Sequence, residues 1–146
     1  MDVHSPKIRS FNMSRIRGGH TKPEIFLRRL LWHCGYRYRL HRKDLPGTPD
    51  IVFPSRKKVI LVHGCFWHKH NCRFFKWPQT NPVFWKKKIQ ENCRRDRKAY
   101  AKLSRSGWHY NVVWECQLKG DRLHRTLSKI TDFLEPTTPP PKGNFL

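Results

Sequence analysis

Apolar residues recur at helical spacing where Ile25, Phe26, Leu27, Leu30, Leu31 and Cys34 form one face, opened by Thr21-Lys-Pro23-Glu24 and closed by Gly35. A cap residue, an early proline and a glutamate three positions after the threonine are the signals of a helix start, and glycine signals its end. A second helix opens at Asn81-Pro82 and runs to about Ser106, with apolar positions at Phe84, Trp85, Ile89, Cys93, Tyr100 and Leu103 and a stop at Gly107. A third covers Asp121 to Leu134, where Leu123, Leu127, Ile130, Phe133 and Leu134 draw an amphipathic stripe. Cys34 and Cys93 fall on apolar helix faces and read as packing residues.

The strand signals lie between these helices. Tyr36 to Leu40 alternates aromatic and basic side chains, Ile51-Val-Phe53 is cut short by Pro54, and His109 to Trp114 is a further strand. Val59-Ile-Leu-Val62 is apolar throughout, the pattern of a central strand buried on both faces. It hands the chain to His63-Gly-Cys-Phe-Trp-His68, and open α/β sheets collect their chemistry at such strand ends. The order of elements predicts an α/β fold: a central sheet flanked by helices.

No repeat or linker divides the body, so residues 21–135 read as one domain. Residues 1–20 are polar and basic, with isolated apolar positions at Ile8, Phe11, Met13 and Ile16. They read as an arm, with Met13 and Ile16 either packing onto the body or serving as apolar wedges against a nucleic acid. Residues 136–146, with Pro139-Pro-Pro141, read as a loose tail.

Charge narrows the class of partner. Among 146 residues, 31 lysines and arginines stand against 10 acids, a formal net charge of +21. Such a chain attracts polyanions, and a DNA or RNA backbone uses a field of this size where a small acidic substrate does not. Hydrophobic residues at 37% and aromatics at 13% still suffice for a folded core. No window approaches the roughly 18 apolar residues of a membrane helix, and the first residues lack a signal-peptide core; a cytoplasmic protein is expected, with no membrane partner. The cysteines, 5 in all, are odd in number and lack the spacing of a secreted disulfide module, which favours a reducing compartment and a metal site.

Cys65, His70 and Cys72 place three zinc-type ligands in one short segment, and Cys116 follows a separate predicted strand. If the two strands are neighbours, the three thiolates and one imidazole meet as a tetrahedral site with no position open for water, which makes the zinc structural. The alternative is a pair of buried thiols with two incidental neighbours.

A second constellation joins Asp50 to His63 and His68. A carboxylate among basic segments can hold a divalent cation beside phosphate. His68 can orient or deprotonate a water, and His63 can polarise the phosphate or assist protonation of the leaving group. Glu24 either caps its helix or points an acid into the same site. Phe66 and Trp67 read either as strand-end packing or as wedges into a base stack. Arg73, Lys76 and Lys86-Lys87-Lys88 suit phosphate contacts or a solvated face.

Asn12-Met13, Lys22-Pro-Glu24, Leu45-Pro-Gly-Thr-Pro49-Asp50, Val62-His-Gly-Cys-Phe-Trp-His68, His70-Asn-Cys72, Asn92-Cys-Arg-Arg-Asp96 and Val113-Trp-Glu-Cys116 resemble, in order, the very short patch repair (Vsr) endonucleases. The resemblance covers roughly residues 2–134. It implies a restriction-endonuclease-like α/β fold, with a central mixed sheet flanked by helices and a structural zinc site. It further implies strand-specific nicking of double-stranded DNA 5′ to the thymine of a T:G mismatch, in a methyltransferase recognition context. On this resemblance Asp50, with the main-chain carbonyl of Val62, holds catalytic magnesium. His68 activates water, His63 assists at the scissile phosphate, and Glu24 organises the site through metal-bound water. Cys65, His70, Cys72 and Cys116 match the zinc ligands. Phe66 and Trp67 insert from the major groove, and Met13 and Ile16 approach from the minor groove. The implied setting is the bacterial nucleoid, with mismatch-repair proteins as candidate partners; a single domain holding every catalytic group argues for a monomer.

The chain departs from the family at Val62, where a threonine is familiar, and at Lys69, where a further histidine can stand. Three other readings stay open: a sequence-tolerant DNA nickase, a non-catalytic zinc-stabilised DNA-binding module, and an RNA-binding or architectural protein.

Overall fold

The apolar run expected at the centre of the sheet is β3 (Lys58–His63), and it pairs on both sides. The computed structural model describes residues 20–135, so the arm up to residue 19, with Met13 and Ile16, and the tail from 136 lie outside the described residues. Before β3 come α1 (Lys22–His33), β1 (Arg39–Leu40) and β2 (Ile51–Phe53); after it come α2 (Pro82–Arg105), β4 (His109–Trp114) and α3 (Arg122–Leu134). The sheet order is β1-β2-β3-β4. β1–β2 and β2–β3 are antiparallel, whereas β3–β4 is parallel, with Lys58 opposite His109 and His63 opposite Trp114. The mixed sheet flanked by helices is the architecture the sequence predicted. Parallel neighbours require a long crossover, and here it carries the cysteine-rich loop and α2.

Alternation along β2 and β3 divides the core. Ile51, Phe53 and Ile60 pack with Leu27 and Leu31 of α1 and with Ile130 and Leu134 of α3. Val52, Val59 and Leu61 pack instead with Leu103 of α2 and with Trp108. Period-two geometry sends His63 to the same face as Leu61 and Val59, toward α2. Where the second helix lies therefore decides what His63 can touch.

Three expectations need correction. Of Tyr36 to Leu40 only Arg39 and Leu40 pair as strand. Tyr36 is buried, edge-on to Phe53 at 6.1 Å between centroids, and its hydroxyl donates to Glu135 at 2.5 Å. Packing and one hydrogen bond outcompete the ladder there. Cys34 is not a packing residue: it is exposed at the end of α1, where its N–H closes the last turn on Leu30 and Leu31. Thr21 occupies the cap position of α1, but its side chain makes no capping hydrogen bond.

Gly47 brings the Leu45–Asp50 turn against α2. Its φ is +77°, and a Cβ there would lie 2.8 Å from the Cβ of Ala99. Gly47→Ala is therefore expected to destabilise the fold by about 2–4 kcal/mol, from left-handed strain plus overpacking. Urea unfolding of the variant beside Gly107→Ala, whose φ of +83° is similar but whose Cβ would meet nothing within 4 Å, separates the packing part from the strain.

Candidate active site and metal centre

The register of β3 and β4 builds the metal cluster. His63 and Trp114 are partners, so Cys65 and Cys116 each lie two residues beyond the paired ends and come together. Both are buried at 2% exposure. The loop returns His70 between them, its Nδ1 3.6 Å from Cys65 Sγ and 3.4 Å from Cys116 Sγ. A tetrahedral zinc with bonds of about 2.0 Å to nitrogen and 2.3 Å to sulfur places N and S about 3.6 Å apart, which these distances match. Cys72 completes the group, and the four ligand atoms lie within 4.8 Å of one another. The His70 ring stacks on Trp114 at 4.2 Å and 8°, which fixes its orientation. Burial pushes the Cys65 thiol up to about 12, so thiolate there depends on a cation to hold it. The donor set is that of a structural zinc.

On the other face, α2 presents residues four apart to the end of β3. Asn92 Nδ2 donates to the Trp67 carbonyl at 3.1 Å, Asp96 Oδ2 lies 2.5 Å from His68 Nδ1, and Tyr100 Oη lies 2.7 Å from His63 Nε2. One helical stripe thus holds three positions of the loop. The His63 and His68 rings stack with centroids 3.7 Å apart and 9° between planes. Burial, with the neighbouring His68 adding to it and Asp96 pulling the other way by less, lowers His63 to about 4. The stacked neighbour and the burial together disfavour a charge on His63.

Asp50 sits at the mouth of β2, 8% exposed, with Oδ2 accepting the Val62 N–H at 2.7 Å. Burial raises its carboxyl above the ordinary range and the negative charge of Glu24 adds to this, while the Val62 N–H pulls the other way. Glu24 is 1% exposed and held by Arg28 at 2.7 Å, by the His20 N–H at 2.9 Å and by His41 Nε2 at 2.8 Å. His41 Nε2 is also 4.0 Å from Asp50 Oδ1, and its main-chain N–H donates to the Asp50 carbonyl. The Glu24 carboxylate reaches back across the helix start to the His20 N–H, and His41 links it to Asp50 from outside the residues that line the cleft. A cleft of about 630 Å³ gathers Asp50, His63, Trp67 and His68 with Lys88 and Arg95 from α2. Asp50 presents a hard oxygen donor to the cleft, the donor type that magnesium takes.

Phe66 and Trp67 are half-buried. Their rings stand edge-on at 5.2 Å, and each meets Trp85, at 5.4 Å and 5.7 Å. Trp67 lines the cleft, so the aromatic cluster adjoins the carboxylate and histidines.

The sequence reading gave Asp96, Tyr100 and His41 no role at the site. For the first two a signal existed: Asn92, Asp96 and Tyr100 repeat every four residues along a basic helix, and Asp96 is its acid between Arg95 and Arg97. His41 carried none, because a histidine between Leu40 and Arg42 reads as part of a charged loop.

Residues 1–74 match the family model described as DNA mismatch endonuclease Vsr. The chain is 47% identical over 136 residues to a type II nicking enzyme, V.XorIIP of Xanthomonas oryzae pv. oryzae, covering 93% of this chain and 98% of that protein. It is 41% identical to the type II nicking enzyme V.NmeAIP of Neisseria meningitidis, covering 90% and 97%. With the DNA mismatch endonuclease Vsr of Escherichia coli it shares 42% identity, over 92% of this chain and 85% of that one.

Two measurements test the geometry. Chelation of zinc, or Cys116→Ala, is expected to remove at least about 4 kcal/mol of stability, the linkage of an ion held a thousandfold above its dissociation constant. Unfolding in zinc-buffered and chelator-treated samples reads it directly. The second concerns pH. His63 titrates near 4 when folded and near its ordinary 6.5 when unfolded, so the unfolded chain binds the extra proton and stability falls as pH drops from about 6.5 toward 4. Between pH 7 and 5 the parent is expected to lose on the order of 2 kcal/mol relative to His63→Gln. Parallel slopes in urea titrations of the two proteins would rule this out.

Proposed function

The chain belongs to the DNA mismatch endonuclease Vsr family, and on that premise we propose that it is a magnesium-dependent nicking endonuclease, cutting one DNA strand 5′ to the thymine of a T:G mismatch in a methyltransferase recognition context. The observation that carries this reading is the Asp96–His68 pair facing Asp50 across one basic cleft.

Asp50 and the Val62 carbonyl are the groups that would hold magnesium, with Glu24 orienting its water. Bound there, magnesium supplies Lewis-acid stabilisation of charge on the phosphoryl oxygens. Asp96 accepts from His68 Nδ1–H, which leaves Nε2 as the base that takes a proton from the attacking water. Water oxygen bonds to phosphorus and the bond to the 3′ oxygen breaks, leaving a 3′-hydroxyl and a 5′-phosphate; the leaving oxygen ends protonated. His63 assists at the scissile phosphate by backing the His68 ring, and its own Nε2 is engaged by Tyr100. Lys88 and Arg95 meet the phosphates at the cleft. Phe66 and Trp67, supported by Trp85, wedge beside the weak pair from the major groove, and Met13 and Ile16 from the minor groove. Every catalytic group lies in one chain, which supports action as a monomer; mismatch-repair proteins are the partners this reading suggests.

End-labelled duplexes, T:G and fully paired, in several methyltransferase contexts, test it. A single nick in the thymine strand is expected, lost with chelator and with Asp50→Ala. Asp96→Asn is expected to slow the chemical step by about 10²–10⁴-fold with duplex binding kept. Equal cutting of paired duplexes would replace this reading with a sequence-tolerant nickase. Tight binding with no cleavage under any divalent ion would replace it with a zinc-stabilised DNA-binding module.

A further inference from the structure

Glu24 meets more nitrogen donors than a carboxylate at a helix start requires. His20 stands just before α1, Glu24 in its first turn and His41 just after β1, yet one atom from each lies within 4.8 Å of the others. The two imidazoles are edge-to-face, with centroids 4.5 Å apart. His41 Nε2 is 2.8 Å from both oxygens of Glu24. With bonds of about 2.1 Å, two ligand atoms on one ion are about 3.0 Å apart at right angles and about 3.4 Å at the tetrahedral angle, so the 2.8 Å spacing is that of a hydrogen bond and lies a few tenths of an ångström inside what a shared cation would set.

Arg28 is the group that now supplies positive charge. Its Nη1 lies 2.7 Å from Glu24 Oε2 and 3.2 Å from His20 Nδ1. A guanidinium has only donors, so His20 Nδ1 must accept in that contact. Its lone pair therefore already points to where positive charge sits, which is the tautomer a metal ligand needs.

We propose that His20, Glu24 and His41 form a second metal site, taking a borderline transition dication such as zinc, cobalt(II) or nickel(II) in competition with Arg28. Two imidazole nitrogens and one carboxylate select these ions over magnesium, and three protein ligands leave positions for water. Occupancy ties the start of α1 to the chain between β1 and β2. It also sets a dication beside Asp50, whose Oδ1 is 4.0 Å from His41 Nε2. The site stands independently of the nicking reading, because its test is binding and not cleavage.

Cobalt(II) titration of the full chain distinguishes the two metal sites by spectrum. The Cys65-His70-Cys72-Cys116 site gives thiolate-to-cobalt charge transfer; a site of two imidazoles and a carboxylate gives weak visible bands without it. The expected result is one equivalent with charge transfer, then a second, weaker equivalent without it. His41→Gln and His20→Gln each abolish the second equivalent and leave the first, whose charge-transfer band also reports that the variant is folded. Arg28→Gln tightens the second by about tenfold or more, since a competing unit charge beside the site is gone. A single equivalent in both the parent and Arg28→Gln would overturn the proposal, as would a second equivalent that survives in both histidine variants.

Discussion

The parallel pairing of β3 with β4 is the constraint on which the rest of the molecule depends. It sets His63 against Trp114, and in doing so brings Cys65 and Cys116 to the same height on adjacent strands. A one-residue slip would turn every side chain of β4 to the opposite face and separate the two thiols. The metal cluster then locks the register that created it, since its ligands come from the loop after β3 and the turn after β4. Pairing and ligation are mutually supporting, which suits a small domain whose formal charge of +21 works against compaction.

The polar site follows a different rule. Few acids are present, and each one at the site, Asp50 and Glu24 buried and Asp96 half-buried, has a defined donor: Asp50 the Val62 N–H, Glu24 the Arg28 guanidinium, Asp96 the His68 ring. Burial shifts groups in opposite directions within one cleft, raising the Asp50 carboxyl and lowering the His63 imidazole. Both therefore favour their neutral forms in the bare protein. A cation placed beside Asp50 would favour its carboxylate, and an anion placed beside His63 would favour its imidazolium.

Much of this was legible in the residues. The helices and the central strand followed from spacing and Cys65, His70 and Cys72 from ligand type, because these are local properties, whereas Cys116 joins them only because β3 and β4 are neighbours. The motif that carries Asp50 and the one that carries His63 and His68 were recognisable as a pair, and the structure brings them to one cleft. What escaped were the groups whose meaning is tertiary. Asp96 and Tyr100 look like ordinary positions of a basic helix until the face of β3 opposite them is known. His41 acquires its place only because β1 pairs with β2 and hands it to Asp50. Tyr36 failed as a strand residue because a buried ring against Phe53 outweighed an alternation that reads well on paper. Val62 shows the converse: the group the structure uses is its main-chain N–H, which no substitution there other than proline removes.

The stripe of α2 has a mechanical consequence. Trp85, near the start of that helix, touches the rings of Phe66 and Trp67; Asp96 and Tyr100, further along the same rod, grip His68 and His63. From Trp85 to Asp96 is about 16 Å along the axis at 1.5 Å per residue, with no proline between to absorb a bend. A load on the aromatic cluster would be carried by a stiff rod to the residues that hold both imidazoles. The aromatic cluster and the two imidazoles are thus fixed to one another through a single helix, and neither can shift without the other feeling it.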